Sequence, residues 1–66
     1  GLEALSTIVA GALRHLNPGG WLLLEHGDQQ GEAVRRLLAN SGFVDVATLP
    51  DFAGLDRCTE GRLADR

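Results

Sequence analysis

Residues 17–25 read NPGGWLLLE, a turn sequence followed by an apolar run that closes on a charged residue. Proline at the second place and glycine at the third place of Asn17–Gly20 suit a type II β-turn. The run Trp21–Glu25 shows no alternation of apolar and polar residues, which is typical of a central strand covered on both faces. The stretch therefore predicts a turn that leads into a buried strand, with Trp21 in the core.

A helix is expected before this turn, because apolar residues recur at helical spacing from Leu2 to Leu16. These residues are Leu2, Leu5, Val9, Ala12, Leu13 and Leu16, with Ile8 beside Val9. Glu3 lies early in the helix and Arg14 lies late, so the charges follow the helix dipole. The helix is expected to end near Asn17, because Pro18 disfavours α geometry in the residue before it.

A second helix is expected after Gly27, with Asp28 as its N-cap residue. Its inner face is predicted to carry Val34, Leu37, Leu38 and Ser41, and its solvated outer face Arg35, Arg36 and Asn40. Glu32 has the helical spacing that allows an ion pair with either arginine. Gly42 suits the left-handed residue that ends a helix, and Phe43 can then fold back onto the helix.

A strand over Phe43–Leu49 is predicted next, and Pro50 is expected to end it. Val44 and Val46 are expected on one face of this strand and Asp45 on the other. An acidic residue within a strand favours a position at the edge of a sheet, where the side chain stays solvated.

A loop over Asp51–Asp56 and a short final strand over Arg57–Leu63 complete the chain, although Glu60 and Gly61 disfavour the interior of a strand. The order of elements is helix–strand–helix–strand–strand, which places the chain in the α/β class. The strand–helix–strand unit implies a parallel pair of strands joined by a right-handed crossover.

Composition restricts the classes of function. The chain has 66 residues, a net charge of −3 and 44% apolar residues, which indicates one small soluble unit with a marginal core. Its basic residues are all arginine and form no cluster, so a nucleic-acid partner is not expected. The longest apolar run, residues 21–24, is far too short to span a membrane. The single cysteine, Cys58, excludes an internal disulfide and suits a reducing cytoplasmic compartment.

Three adjoining stretches resemble a known enzyme family. Residues 18–27, PGGWLLLEHG, look like the passage of class I S-adenosylmethionine-dependent methyltransferases in which a Pro-Gly-Gly turn, an apolar strand and an acid follow one another. Residues 28–34, DQQGEAV, are similar to one branch, the release factor glutamine methyltransferases (the HemK/PrmC family). The C-terminal signature of that branch is matched by Asp51, Gly54, Asp56, Arg57 and Gly61–Leu63. The resemblance covers nearly the whole chain, from Gly1 to Leu63.

This resemblance implies that residues 1–66 are the C-terminal part of a single methyltransferase domain with a Rossmann-like fold. The final strand would then run antiparallel and lie between the other two strands. The parent enzyme would transfer a methyl group from S-adenosylmethionine to the glutamine side chain in the Gly-Gly-Gln loop of translation release factors. It would work in the cytoplasm, without a membrane or a direct nucleic-acid contact.

The contact residues known for this family have no counterparts in the chain. They are the glycine-rich cofactor loop, the acid that holds the ribose and the Asn-Pro-Pro-Tyr element that binds the target glutamine. Asn17-Pro18 only mimics that element, because Gly19-Gly20 follows it. No catalytic, cofactor-binding or metal-binding residue is therefore assigned. The 66-residue chain alone is expected to be a scaffold that is inactive and does not bind S-adenosylmethionine. A methyltransferase of another substrate class and a non-catalytic α/β interaction module are the alternatives, which the upstream sequence would distinguish.

A few side chains suggest sites of their own. Glu25 and His26 end a strand at its carboxyl edge, where open α/β sheets bind ligands, but a solvated strand end is the simpler interpretation. His15, His26 and Cys58 match no compact zinc pattern. Ser6, His15 and an aspartate would lack the nucleophile elbow and the oxyanion hole of a hydrolytic triad.

The turn before the second helix contains Gly27 and Gly31, and a helix N-terminus after such a turn can hold an anion. The third glycine and the lysine of a phosphate-binding loop are missing, however. An ordinary turn is therefore the favoured interpretation.

The isolated chain is also expected to self-associate. Without an upstream neighbour, the strand Trp21–Leu24 would leave one row of backbone N–H and C=O groups unpaired. Part of the helical stripe Leu5–Val9–Leu13 would be exposed as well. A two-fold dimer that buries this edge or this stripe is the simplest expectation.

Overall fold

A computed structural model describes residues 2–65 of the chain, and at position 56 the backbone alone. Two helices and three strands follow one another in the predicted order. They are α1 (Leu2–Leu13), β1 (Trp21–Glu25), α2 (Gly31–Asn40), β2 (Phe43–Pro50) and β3 (Asp56–Leu63). Gly1 and Arg66, the ends of the expected unit 1–66, lie outside the described residues. The prediction of a mixed α/β chain is confirmed.

The turn before β1 has the predicted type II form. Gly19 has a φ of +86°, and the N–H of Gly20 donates to the carbonyl of Asn17 at 2.9 Å. Helix α1, by contrast, ends at Leu13, earlier than predicted. The backbone tightens there, because the N–H of His15 bonds to the carbonyl three residues back at 3.0 Å, as in a 3₁₀ turn.

Strand β3 lies between β1 and β2 and is antiparallel to both. Strands β1 and β2 therefore run in the same direction, as the crossover through α2 predicts, but they are not hydrogen-bonded to each other. This is the insertion of the last strand that the resemblance implies.

Both helices pack on the same face of this sheet. The buried cluster that joins them to it consists of Val9, Leu24, Val34, Leu38, Phe43 and Leu63. Gly61 of β3 allows the close approach of α2, because a Cβ at this position would lie 3.1 Å from Phe43 Cβ and 3.4 Å from Leu38 Cδ1. Glycine disfavours the interior of a strand, but at position 61 it is required by the close packing of α2 on β3.

The opposite face of the sheet is open, so the prediction that Trp21 lies in the core is wrong. Side chains alternate along a strand. In β1, Leu22 packs against the core cluster and Leu24 belongs to it, whereas Trp21 is 53% exposed and Leu23 is 59% exposed. The apolar run suits a strand covered on both faces, but the described residues cover only one of them.

Strand β2 departs from regular alternation at Asp45, whose φ is +53°. The pairing with β3 shifts between Val44 and Ala47, which marks a β-bulge. The bulge leaves Val44 exposed and turns Val46 towards the core cluster, so the prediction that these two valines share a face is wrong. The predicted edge position of Asp45 is confirmed, and its carboxylate accepts a hydrogen bond from Arg62 Nε at 3.1 Å.

The two ends of α2 differ in how well they were predicted. Asp28 is not the N-cap residue. That position belongs to Gln30, whose side chain makes no capping bond and instead accepts from the N–H of Gly27 at 2.9 Å. At the other end, Gly42 has the predicted positive φ, +98°, and its N–H donates to the carbonyl of Ala39 at 3.3 Å.

The substitution Gly42→Ala should lower the free energy of unfolding by about 1 kcal/mol, because the left-handed region disfavours a Cβ. Apart from Gly42 itself and its two chain neighbours, no described residue has an atom within 4 Å of the added Cβ, so the cost is conformational rather than steric. Urea denaturation followed by circular dichroism measures it. The control is Gly11→Ala within α1, also in open space, which should raise stability by about 0.5–1 kcal/mol. Equal effects of the two substitutions would contradict the left-handed helix end.

We propose that the 66-residue chain self-associates through the open sheet face beside the free edge of β1. Leu23→Glu should then shift the mass in sedimentation equilibrium towards that of the 7.0 kDa monomer, because the new carboxylate would be buried in the contact. The matched control is Ile8→Glu on the exposed side of α1, which should leave the association unchanged. A wild-type mass of 7.0 kDa at all concentrations would exclude this contact.

Candidate functional site

The carboxyl ends of β1 and β2 lie at the same edge of the sheet, with the start of β3 between them. Glu25 and Leu49 both pair with Cys58, so these three residues form the last row that spans all three strands. His26 comes directly after this row, and its N–H donates to the carbonyl of Arg57 at 2.8 Å. Ligands bind to open α/β sheets beyond the carboxyl ends of the strands, which makes this edge the candidate site.

The side chain of His26 is held by a chain of hydrogen bonds that reaches α2. Its Nε2 lies 2.7 Å from Thr59 Oγ1, which in turn lies 2.8 Å from Thr48 Oγ1. Arg35 Nη1 donates to Thr48 Oγ1 at 2.6 Å. Thr59, in the middle of this polar chain, is completely buried. The polar chain therefore joins the end of β1 to β3, β2 and α2.

The direction of each bond follows from the carbonyl of Gly27, which can only accept. His26 Nδ1 lies 2.8 Å from this carbonyl and so carries the proton, which leaves Nε2 of the neutral imidazole to accept from Thr59. Since Thr59 has a single hydroxyl proton, it accepts from Thr48, and Thr48 in turn accepts from Arg35. We assign this tautomer of His26 from the network. Each side chain between the two ends accepts one bond and donates one, which fixes the orientation of the ring.

The turn between β1 and α2 closes on itself. The N–H of Gly27 donates to Gln30 Oε1 at 2.9 Å, and the N–H of Gln30 donates to the carbonyl of Gly27 at 3.0 Å. Gly31 is buried at the start of α2, where a Cβ would lie 3.3 Å from Thr48 Cγ2. The geometry agrees with the ordinary turn that the sequence favours over an anion site.

The two neighbouring arginines of α2 have different roles, and the prediction that Arg35 lies on the solvated face is wrong. Its guanidinium lies over Gly31 and reaches Thr48, so the side chain is part of the polar chain. Arg36 pairs with Glu32 at 2.8 Å on the exposed face, as expected. An exposed pair at this spacing contributes only about 0.3–0.5 kcal/mol.

The remaining candidate residues take part in no common site. Ser6 and His15 are exposed, and Cys58 is a half-buried free thiol on the open side of β3. Residues 2–65 contain no group of three His, Cys, Asp or Glu side chains that could hold a metal ion. In the same part of the chain, neither helix combines the length and the apolar character that crossing a membrane requires.

Thr48 and Thr59 were not predicted from the sequence. Alternation counted back from Leu63 does place Thr59 on the helix-facing side, so this residue was accessible to sequence reasoning. Thr48 was hidden, because alternation counted from Phe43 puts it on the other face. The bulge at Asp45 reverses that alternation and brings the two hydroxyl groups together.

The substitution Thr59→Val should lower the free energy of unfolding by about 1–3 kcal/mol. It keeps the shape of the side chain but removes the hydroxyl that links His26 and Thr48. Chemical denaturation measures the loss. The control is Thr7→Val, which removes an exposed hydroxyl bonded to the carbonyl of Glu3 and should change stability by about 0.5 kcal/mol or less. Equal losses would show that the buried polar chain contributes nothing specific.

The chain is similar in sequence to proteins named release factor glutamine methyltransferase. The relative from Xylella fastidiosa (strain Temecula1) is 58% identical over 62 residues, which are 94% of this chain and 22% of the relative. Those from Neisseria gonorrhoeae and Pseudomonas aeruginosa are each 55% identical, over 94% and 97% of this chain, and in both cases over 23% of the relative. No family model matches the chain, and no solved structure matches it.

The chain spans about a fifth of the length of the curated relatives that it matches, and the matched part is their C-terminal part. More than half of the aligned residues are identical, and the alignments cover nearly the whole chain. Over this length, the chain belongs to the release factor glutamine methyltransferase family.

Proposed function

We propose that the chain is the C-terminal part of a Rossmann-like class I methyltransferase of the cytoplasm. The enzyme transfers a methyl group from S-adenosylmethionine to the glutamine side chain in the Gly-Gly-Gln loop of translation release factors. The observation that carries this proposal is the 58% identity, over 94% of the chain, to a protein named release factor glutamine methyltransferase. The sheet order β1-β3-β2, with β3 antiparallel in the middle, is the arrangement that the resemblance implies and supports the same proposal.

Methyl transfer to an amide nitrogen depends mainly on positioning. The nitrogen has to be aligned behind the carbon–sulfur bond in a pocket that excludes water. A carboxamide nitrogen is also a weak nucleophile, so hydrogen bonds have to polarise the amide. The carbon–nitrogen bond forms as the carbon–sulfur bond breaks, and the nitrogen loses one proton.

The described residues do not fit the role of a cofactor site. The only turn that follows a strand and leads into a helix among residues 2–65 is residues 26–30, where the Gln30 side chain already accepts from Gly27 N–H. A glycine-rich loop is missing from the sequence. In this proposal the remaining four-fifths of the enzyme therefore binds the cofactor.

The role proposed for this chain is that of a scaffold at the ligand-binding edge. The polar chain from Arg35 to His26 fixes the end of β1 against β2 and β3. The two hydrogen bonds between Gly27 and Gln30 fix the turn that follows. A wall of the active-site crevice built in this way keeps its shape when the substrate enters.

The isolated 66-residue chain should show no saturable heat of S-adenosylmethionine binding in titration calorimetry, because the glycine-rich loop and the ribose acid are missing. The full-length protein encoded with this sequence should bind the cofactor and add one methyl group to the release factor, as mass spectrometry of the glutamine-containing peptide would show. A release factor with that glutamine replaced by asparagine is the matched control and should remain unmodified.

Two results would overturn parts of this proposal. Saturable binding of S-adenosylmethionine by the isolated chain would contradict its role as scaffold alone. Methylation of the asparagine variant, or of proteins other than the release factor, would contradict the proposed substrate.

A further inference from the structure

The loop between β2 and β3 projects an aromatic side chain from the candidate edge. All of its residues, 51–55, are exposed, and Phe52 is completely so. The loop begins just beyond the row of Glu25, Cys58 and Leu49, so it lies at the same edge of the sheet as His26. We call residues 51–55 the Phe52 loop. Removing a phenyl ring from water is among the largest gains in free energy that a single side chain can provide. The exposed Phe52 ring does not realise this gain in the described structure.

The Phe52 loop is held together by contacts that centre on Asp51. Its Oδ1 accepts from the N–H of Ala53 at 2.8 Å and from the N–H of Leu55 at 3.0 Å. Its N–H donates to the carbonyl of Leu55 at 2.8 Å, and its carbonyl accepts from Gly54 at 3.0 Å. Arg57 Nε lies 3.5 Å from the second carboxylate oxygen. The exposed ring is thus displayed by an ordered loop.

An ordered loop with an aromatic tip is suited to binding a protein. The loop loses little conformational entropy on binding, because its backbone is already fixed. Aromatic side chains are typical anchors of protein interfaces, where they fill pockets on the partner. Leu55, three residues further along the same loop, is also exposed and gives the loop a second apolar side chain. The tip projects from the molecule, so it fits a concave partner rather than a small ligand, which needs a cavity.

The border of this tip is acidic. Glu25 lies in the adjoining row, and Asp28 lies in the turn that leaves the same edge; both are exposed. Neither carboxylate takes part in the ion pairs found among residues 2–65, whereas Arg57 is paired with Asp51. Complementary charge on a partner is therefore basic.

We infer that the Phe52 loop docks the protein substrate of the enzyme. Phe52 enters an apolar pocket on the release factor, and basic residues around that pocket face Glu25 and Asp28. The identity of the partner rests on the proposed function, while the need for an apolar pocket with a basic border rests on the loop itself. Phe52 touches no reacting atom in this arrangement and sets the affinity for the whole protein substrate.

The test uses Phe52→Ala in the full-length protein. Binding of the release factor, measured by titration calorimetry, should weaken by roughly tenfold or more, as expected for an anchor residue. The KM for the release factor should rise by a similar factor with an unchanged kcat, because the lost contact is equally present in ground state and transition state. The matched control is Ile8→Ala, which removes an exposed apolar side chain on α1 and should change neither constant.

A second variant tests whether the order of the loop matters. Asp51→Ala keeps Phe52 but removes both side-chain hydrogen bonds to the loop and the contact with Arg57. Amide exchange at Ala53 and Leu55 should accelerate, and binding of the release factor should weaken, although less than in Phe52→Ala. If Asp51→Ala binds the release factor as tightly as the wild type although its loop is less ordered, the order of the loop is not the basis of the affinity.

The outcomes separate this inference from the proposed function. If Phe52→Ala binds the release factor as tightly as the wild type, docking is overturned, even where methylation of the glutamine supports the proposed function. Failure of the wild type to bind the release factor overturns docking as well. If binding of the release factor depends on Phe52 but its glutamine is not methylated, the docking surface is supported and the proposed function is overturned. A change in self-association alone shows a contact between copies, which also overturns docking.

Discussion

The fold depends on one constraint, which is that β3 must satisfy two neighbouring strands and a helix layer at the same time. Three alternate residues of β3 meet these demands. Thr59 joins the polar chain, Gly61 admits α2 at close range, and Leu63 completes the buried cluster. Strands β1 and β2 have no hydrogen bonds to each other, so they form one sheet only because β3 bonds to both.

The geometry of the candidate edge follows from the same constraint. His26 and Thr48 belong to segments that β3 separates, and Thr59 is the group that bridges them. One hydrogen bond contributes only about 1 kcal/mol net, but a buried hydroxyl without a partner costs about 1–3 kcal/mol. The polar chain is therefore favoured only when it is complete, which links the orientation of the His26 ring to the register of all three strands.

Among the described residues, helices cover only one face of the sheet, which agrees with membership in a family of longer proteins. Two helices bury one face of the sheet, whereas Trp21 and Leu23 are exposed on the opposite face. The apolar composition of β1 is typical of a strand that is covered on both faces. The curated relatives are more than four times as long as the aligned part. In the proposed enzyme, the open face and the free edge of β1 are available to the rest of the domain. In the docking that we infer, the Phe52 loop at the carboxyl edge contacts the protein substrate.

The sequence alone determined the order of the elements and several of their boundaries. Gly19 and Gly42 take positive φ where predicted, and β2 ends at Pro50. The family could also be identified from short motifs spread along the chain. These features follow from the backbone preferences of one or two residues, or from local sequence patterns, and so they need no knowledge of distant contacts.

Only the tertiary structure decided which side chains meet. The bulge at Asp45 moved Val46 and Thr48 to the helix-facing side, and Arg35 left the solvated face to bond with Thr48. Trp21 is exposed because a second layer is absent from the described residues, although its own sequence context favours burial. The physical reason is that these contacts depend on strand register and on the number of packed layers. Both are set by residues far apart in the chain, which no local preference encodes.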